Sequence, residues 1–168
     1  MKKLIRLLSS FVLMRWISLL TIKVFWALSR VISHLKIKAL ITNSGDSVCH
    51  YTVEIKYGDN IVIGDNCAIG KYSSLGAKSP ITIGDNVTIS RGVIIETAGL
   101  DLSKSAKSRH ISKPIVIKDN VWIATNAIIL GGVTINKNAV IAAGVVITKD
   151  VPEGAVIVGA RNRDIKHN

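Results

Sequence analysis

The feature that most limits what this chain can fold into is a column of branched residues recurring every six positions between Ile117 and Val151. Ile117, Ile123, Ile129, Ile135, Ile141 and Ile147 form the column. Val121, Ala127, Val133, Ala139, Val145 and Val151 follow, each four places later. Neither a helix, with its period of 3.6, nor an alternating strand, with its period of 2, generates such a pattern. A period of six fits a β-solenoid with three short strands per coil, in which each inward residue stacks on another about 4.8 Å below. A chance Ile/Val-rich β-sandwich would have to match both columns six times in succession.

Composition agrees with a narrow core. The 168-residue chain is 48% hydrophobic but only 5% aromatic, and a slender prism has room for Ile, Val and Ala but little for rings. The length suits one domain with a terminal extension. The formal net charge of +11 is unevenly placed: residues 1–38 carry eight basic residues and no acidic one. The other 130 residues hold 14 basic and 11 acidic side chains, so the body is only +3. That low charge, without interleaved surface aromatics, argues against nucleic-acid binding. Cys67 falls at a small inward position of a hexad, where a thiol packs as a small hydrophobe. Cys49 stands beside His50, too little for a metal site, so no metal is expected. Two cysteines so placed suggest no disulfide framework, which points to a reducing compartment.

Four segments follow from the pattern. Residues 1–38 read as a basic, amphipathic helical extension. On a helical wheel Arg15, Ser18, Lys23, Ser29, Arg30 and Ser33 gather on one side, with Ile17, Leu20, Val24, Ala27, Leu28 and Val31 on the other. No cleavage site marks a signal peptide. Arg6, Arg15, Lys23 and Arg30 interrupt any span, and a charge at the membrane centre costs roughly 2.5–3.5 kcal/mol. The extension could instead lie in a membrane interface, with Trp16, Phe25 and Trp26 at the acyl boundary. It could also pack on the solenoid or on a neighbouring subunit. Residues 39–54 read as a transition containing the turn signal Asn43-Ser44-Gly45-Asp46.

Residues 55–152 read as the repeat. Its early hexads run Ile55 and Ile61, then Ile63 to Ile81, then Ile83 to Ile95, with two-residue slips that a corner can absorb. The repeated Gly64-Asp65-Asn66, Gly84-Asp85-Asn86 and Lys118-Asp119-Asn120 suit the tight or left-handed backbone of such corners, and are read as structural. The columns stop over 96–114, where Asp101, Lys104, Lys107, Arg109, His110 and Lys113 occur. A loop of this length in a tight repeat is a candidate for a functional task, reaching over the side of the prism, or else a disordered excursion. Residues 153–168 read as a tail outside the repeat.

The runs Asp119-Asn120-Val121-Trp122-Ile123, Ile129-Leu130-Gly131-Gly132-Val133-Thr134-Ile135 and Gly144-Val145-Val146-Ile147-Thr148-Lys149-Asp150-Val151-Pro152 resemble the hexapeptide-repeat acyltransferases. The similarity is to the maltose/galactoside O-acetyltransferase and polysaccharide-cluster branch, over roughly Ile55 to Ile165. The resemblance implies an all-β fold, a left-handed parallel β-helix of hexapeptide repeats, here carrying the N-terminal α-helical extension. It also implies a homotrimer with active sites in grooves between subunits, and transfer of an acetyl group from acetyl-coenzyme A to a sugar hydroxyl.

On the same resemblance, Trp122 lines the acceptor and pantetheine region, and Thr125 and Ala143 present backbone to the coenzyme arm. Thr148 and Lys149 contact the coenzyme, and Arg163 reaches its nucleotide phosphates, a role suited to a guanidinium fork. Thr125 and Ala143 are equally ordinary coil positions, and Lys149 could be a solvated corner charge. The chain departs from the pattern twice. Ala98 stands where the maltose/galactoside branch has the histidine of its Thr-x-His motif, and Gly159-Ala160-Arg161-Asn162 replaces Gly-x-Pro-Ala.

Transfer to a hydroxyl needs a base, and histidine is the natural one near neutral pH. Of His34, His50, His110 and His167, only His110 lies in the loop beside the final repeats. Its setting, Arg109-His110 with Lys113-Pro114-Ile115, is similar to a histidine-bearing loop of the serine acetyltransferase branch. Some sugar-cluster relatives pair Gly-Leu-Asp with a later histidine, which makes Asp101 the orienting carboxylate. Otherwise His110 is a solvent-exposed loop residue among basic neighbours.

Competing functions are a catalytically silent membrane scaffold, suggested by Ala98 and the altered C-terminal motif, and an N-acetyltransferase acting on an amino sugar. A carbonic-anhydrase-like hydratase on this fold would need three zinc-binding histidines, and the repeats hold no His-x4-His pair. The expected acceptor is a sugar or lipid-linked sugar. The expected place is the cytoplasm, at the inner face of the cell membrane.

Overall fold

The structure, a computed structural model, describes residues 1–9, 12–101, 103, 105 and 109–159. Its body is a parallel β-helix whose short strands stack into three sheets, one for each face of a triangular prism. The first face holds Ile61–Ile63, Ile81–Ile83, Ile115–Ile117 and Thr134–Ile135. The second holds Val48–Cys49, Ala68–Ile69, Thr88–Ile89, Trp122–Ile123, Val140–Ile141 and Val156–Ile157. The third holds Glu54–Lys56, Ser74–Gly76, Ile94–Glu96, Ile128–Leu130 and Val146–Ile147.

The hexad column is the core. All twelve anchors between Ile117 and Val151 are buried, and the Ile residues of the irregular lower coils at 61, 63, 69, 81, 83, 89 and 95 join them. Branched side chains of equal size stack on themselves, so each coil buries its anchors against the coils above and below. The period also explains the slips. Trp122 pairs with Val140, an advance of 18 residues and three full hexads. Val48 pairs with Ala68 and Ala68 with Thr88, so the lower coils advance by 20. The two extra residues sit at the corner between the third and first faces, as Gly58–Asn60 shows by forming a 3-10 turn there.

The corner reading of the Asp-Asn pairs holds. Asn66, Asn86 and Asn120 take φ of 56, 57 and 58°, in the left-handed region that Asn tolerates better than most residues. The aspartates form a ladder. The N–H of Asp46 donates to Asp65 Oδ1 at 2.7 Å, that of Asp65 to Asp85 Oδ1 at 2.8 Å, and that of Asp85 to Asp119 Oδ1 at 3.1 Å. Lys137 closes the ladder with an ion pair to Asp119 at 2.8 Å. Cys67 is buried as expected, and burial pushes its thiol pKa up.

The solenoid extends beyond both expected ends. Residues 39–54 contribute the first coil: Val48–Cys49 pairs with Ala68–Ile69, and Asn43 bridges to Val62. The inward positions there are filled by Ile41, Cys49 and Val53 rather than by a regular Ile column, which hides the coil from a period count. At the other end Val156–Ile157 pairs with Val140–Ile141 after an advance of only 16 residues, so the shortened last coil breaks the hexad register.

Two helices precede the prism, α1 (Lys2–Ser9) and α2 (Val12–Leu40). The last turn of α2 closes the open end of the solenoid. Ile37 and the adjacent Ile41 are fully buried in the core. Lys36 Nζ donates to the carbonyl oxygens of Tyr51 at 2.7 Å and Val53 at 2.6 Å. One coil higher the carbonyl equivalent to that of Val53, on Ser73, takes the N–H of Glu54. The first coil has no coil beneath it, so the Lys36 ammonium supplies the missing donor. Tyr51 N–H donates to Ser33 Oγ at 3.0 Å, and Lys38 Nζ donates to the Gly45 carbonyl.

The helix therefore turns its polar side, Ser29, Arg30, Ser33 and Lys36, toward the prism. The opposite stripe of Ile17, Leu20, Val24, Leu28, Val31 and Leu35 is exposed. Packing of that apolar face on the chain's own solenoid, one of the sequence-based alternatives, is not what the structure shows. Met14–Leu40 is long and apolar enough to cross a bilayer.

Candidate active site

The loop excursion at 96–114 is built as a β-hairpin. Ala98–Leu100 and His110–Ser112 run antiparallel, with His110 opposite Leu100 and Ser112 opposite Ala98. Its base is rigid. Buried Thr97 donates from Oγ1 to the Gly76 carbonyl at 2.8 Å, and its own carbonyl accepts the Lys113 N–H at 3.0 Å. Ser79 and Ser112 hydroxyls meet at 2.7 Å, and Glu96 Oε1 accepts the Ala98 N–H at 2.9 Å. A hairpin that starts and ends on core positions projects its tip from a fixed point on the edge between the third and first faces.

His110 is exposed on this hairpin, and among the described residues its ring has no hydrogen-bond partner. Asp101 is on the adjacent rung, where its N–H donates to the Arg109 carbonyl at 2.8 Å. Asp101 Oδ1 accepts from the N–H of Ser103 at 3.1 Å and from its hydroxyl at 2.7 Å. Leu100 stands opposite His110 and Asp101 opposite Arg109, so the alternation of the ribbon turns the His110 and Asp101 side chains to opposite faces. Among the described residues no hydrogen bond joins the two, and Ser103 holds the carboxylate instead.

Thr148 and Lys149 occupy the same edge of the prism, in the exposed corner between Val146–Ile147 and Val151. The corner is braced by Asp150, whose Oδ1 accepts the Thr134 N–H at 2.7 Å. Trp122, Thr125 and Ala143 lie elsewhere. Trp122 stands outward on the second face, about half exposed, and its indole N–H donates to Ser90 Oγ at 3.2 Å. Thr125 and Ala143 share the exposed edge between the second and third faces, stacked in successive coils, with the Gly144 N–H on the Thr125 carbonyl at 2.9 Å. Arg163 lies outside the described residues.

One chain therefore carries the candidate residues in two separate places, one along the edge between the third and first faces and one on the second face and the edge beyond it. His110, Asp101, Thr148 and Lys149 belong to one, and Trp122, Thr125 and Ala143 to the other. Sequence reasoning missed Ser90, which fixes the tryptophan ring. Ser90 and Trp122 are 32 positions apart because the hairpin insertion separates neighbouring coils, so no local spacing could have paired them. Among the described residues no cluster of three His, Cys, Asp or Glu could hold a metal ion.

Two family models match the repeat: "Bacterial transferase hexapeptide (six repeats)" over residues 114–149, and "Hexapeptide repeat of succinyl-transferase" over residues 60–97. Among solved structures, a hexapeptide-repeat-containing acetyltransferase from Vibrio cholerae is 33% identical at a TM-score of 0.73, over 79% of this chain and 77% of its own. A structure of that Vibrio cholerae protein with acetyl-coenzyme A aligns at 35% identity and a TM-score of 0.68, over 73% of this chain and 69% of that one. A maltose O-acetyltransferase from Clostridium difficile 630 is 35% identical at a TM-score of 0.67, over 73% of this chain and 67% of its own. The chain belongs to the hexapeptide-repeat acetyltransferases.

Proposed function

We propose that this acetyltransferase takes its acetyl group from acetyl-coenzyme A and delivers it to a hydroxyl of a sugar or lipid-linked sugar, in surface polysaccharide synthesis. The observation that carries the reading is the separation of the two half-sites. In a homotrimer, the hairpin edge of one protomer would face the Trp122–Thr125–Ala143 side of the next and complete a groove between them. The acetyl-coenzyme A complex of the Vibrio cholerae relative supports the donor, and the maltose O-acetyltransferase supports a sugar acceptor.

In this reading His110 takes the proton of the acceptor hydroxyl as its oxygen attacks the thioester carbonyl carbon. The proton then goes to the departing coenzyme thiolate, so the imidazole returns to its neutral form. Asp101 would orient the ring once a bound acceptor draws the two side chains to one side of the hairpin, and Trp122 walls the groove. Thr125, Ala143, Thr148 and Lys149 meet the coenzyme, and Arg163 pairs with its phosphates. Residues 1–38 would hold the enzyme at the cytoplasmic face of the membrane, where a lipid-linked acceptor is presented. The outward apolar stripe of α2, next to eight cationic residues without an acidic one, supports that placement.

Titration of acetyl-coenzyme A into wild-type protein and His110→Ala, with thiol release measured against maltose and lipid-linked sugars, tests the reading. Equal coenzyme binding with turnover lowered about 10²–10⁴-fold in the variant is expected of a lost general base. No coenzyme binding by folded wild-type trimer would sink the enzyme reading and favour a membrane scaffold.

A further inference from the structure

Between α2 and the lower coils of the second face lies a cleft of about 660 Å³. Its floor is apolar, formed by Val48, Ala68, Ile69 and Ile89, and its rim carries Arg30 from the helix and Lys71 and Arg91 from successive coils. Arg91 and Lys71 occupy the same edge column as Thr125 and Ala143, one and two coils below Thr125 toward the helix-capped end. Among the described residues no carboxylate lines the cleft. Among the described residues neither Arg30 nor Lys71 has an ion-pair partner, and Arg91 makes only a cation–π contact, 5.9 Å from the Tyr72 ring centroid.

Unpaired cations around a hydrocarbon floor complement one chemistry, a phosphate joined to a hydrocarbon chain. Guanidinium forks match phosphate oxygens in two directions, and an ammonium adds a compact third charge. The helix that forms one wall carries its apolar stripe on the side away from the cleft. A helix seated in a bilayer surface by that stripe would leave the cleft facing headgroup level. The His50 imidazole in the wall agrees with a positive field. Burial holds its pKa below the ordinary histidine value, and the charges of Lys71 and Lys36 push the same way.

We infer that the cleft between α2 and the first three coils binds one anionic glycerophospholipid, its phosphate on Arg30, Lys71 and Arg91 and an acyl chain along Val48, Ala68 and Ile89. The inference rests on the membrane-surface reading for the source of the lipid, and does not involve acetyl transfer.

The test uses the full chain and dihexanoyl phosphatidylglycerol below its micellar concentration, followed by calorimetry, so that no membrane surface contributes. One lipid per protomer is expected. Replacing the three rim cations together (Arg30→Gln, Lys71→Gln, Arg91→Gln) should weaken binding about a hundredfold, roughly fivefold per cation. Removing the same charge elsewhere, on the solenoid body (Lys56→Gln, Lys78→Gln, Lys118→Gln), should leave it unchanged. All six positions lie on the surface, and circular dichroism confirms that the variants are folded. Equal losses in the two triple variants would overturn the site, as would inorganic phosphate alone binding as tightly as the lipid. No uptake by folded wild-type protein would also overturn it, and is the result expected if a second copy's helix fills the cleft. Vesicle sedimentation, run separately, reports on the helix at a membrane whichever way the cleft experiment falls.

Discussion

The upper coils from Ile115 to Val151 and helix α2 are both rich in Ile, Val and Leu, yet they use those residues in opposite ways. In the coils every hexad anchor is buried. Along the helix Leu20, Val24, Leu28, Val31 and Leu35 are each more than half exposed, and among its described side chains only Ile37 reaches the core. The difference lies in what each element can stack on. A coil meets a copy of itself above and below, so its anchors always find partners. The helix presents its polar side to the prism, held by Lys36 and Ser33 on backbone groups of the first coil, and its apolar stripe is left for another surface. Apolar content alone thus says nothing about core membership; the period at which it recurs does.

The largest effect expected from breaking this contrast is in the coils. Ile129→Ala leaves a hole between stacked isoleucines and should lower unfolding free energy by about 2–5 kcal/mol, read by urea denaturation. A change under 1 kcal/mol would mean that the column is loosely packed.

Next comes the junction of the two regions. Lys36→Met strands the Val53 and Tyr51 carbonyls beneath the first coil, at a cost of about 1.5–3 kcal/mol for charged hydrogen bonds. The loss should appear locally, as faster hydrogen exchange and proteolysis around residues 36–53, with the upper coils unchanged. Uniformly faster exchange would show that helix and prism unfold as one unit.

The paired change Leu20→Ser, Val24→Ser should leave unfolding within about 0.5 kcal/mol of wild type, as expected for surface positions. If the stripe lies in a membrane, vesicle affinity falls by about tenfold or more. If instead it covers another protomer, the assembly dissociates at a higher protein concentration and vesicle binding is unmoved.

The smallest effect is electrostatic. The hydrogen bond from Lys137 holds the Asp119 carboxyl below its ordinary value and raises the Lys137 ammonium above its own. The depressed carboxyl stabilises the fold above its unfolded pKa and loses that contribution as pH falls through the folded one. The raised ammonium contributes below its unfolded pKa and loses its share as pH rises through the folded value. Lys137 is exposed and Asp119 partly so, and solvent screens the pair, so Lys137→Met should raise the Asp119 midpoint in an NMR titration with little change in melting.

Much of the fold was legible residue by residue. Ile117 to Val151 specified coil, register and core because a six-residue period admits one inward position per strand. Asn66, Asn86 and Asn120 marked their corners because few other residues accept a positive φ as readily. The first coil was not legible: Ile41, Cys49 and Val53 follow no column, and only pairing with the coil above makes their segment part of the prism. Of the candidate site, the break in the columns marked the segment that carries His110 and Asp101, while the role given to Asp101 came through resemblance. Trp122, Thr125, Ala143, Thr148 and Lys149 came through resemblance. Their division between two places could not be read from the sequence, because position along a coil becomes position around a prism only after the hairpin is looped out.

By itself, then, the sequence determined the repeat, the corners, the place of the insertion and the basic apolar N-terminus, all of which are local patterns with a fixed period or a fixed backbone requirement. The tertiary structure decided which carbonyls lacked a coil beneath them, which side of α2 faces the prism, and that Ser90 meets Trp122. Those are relations between segments tens of residues apart, set by stacking and by the satisfaction of backbone groups, and no window along the chain contains them.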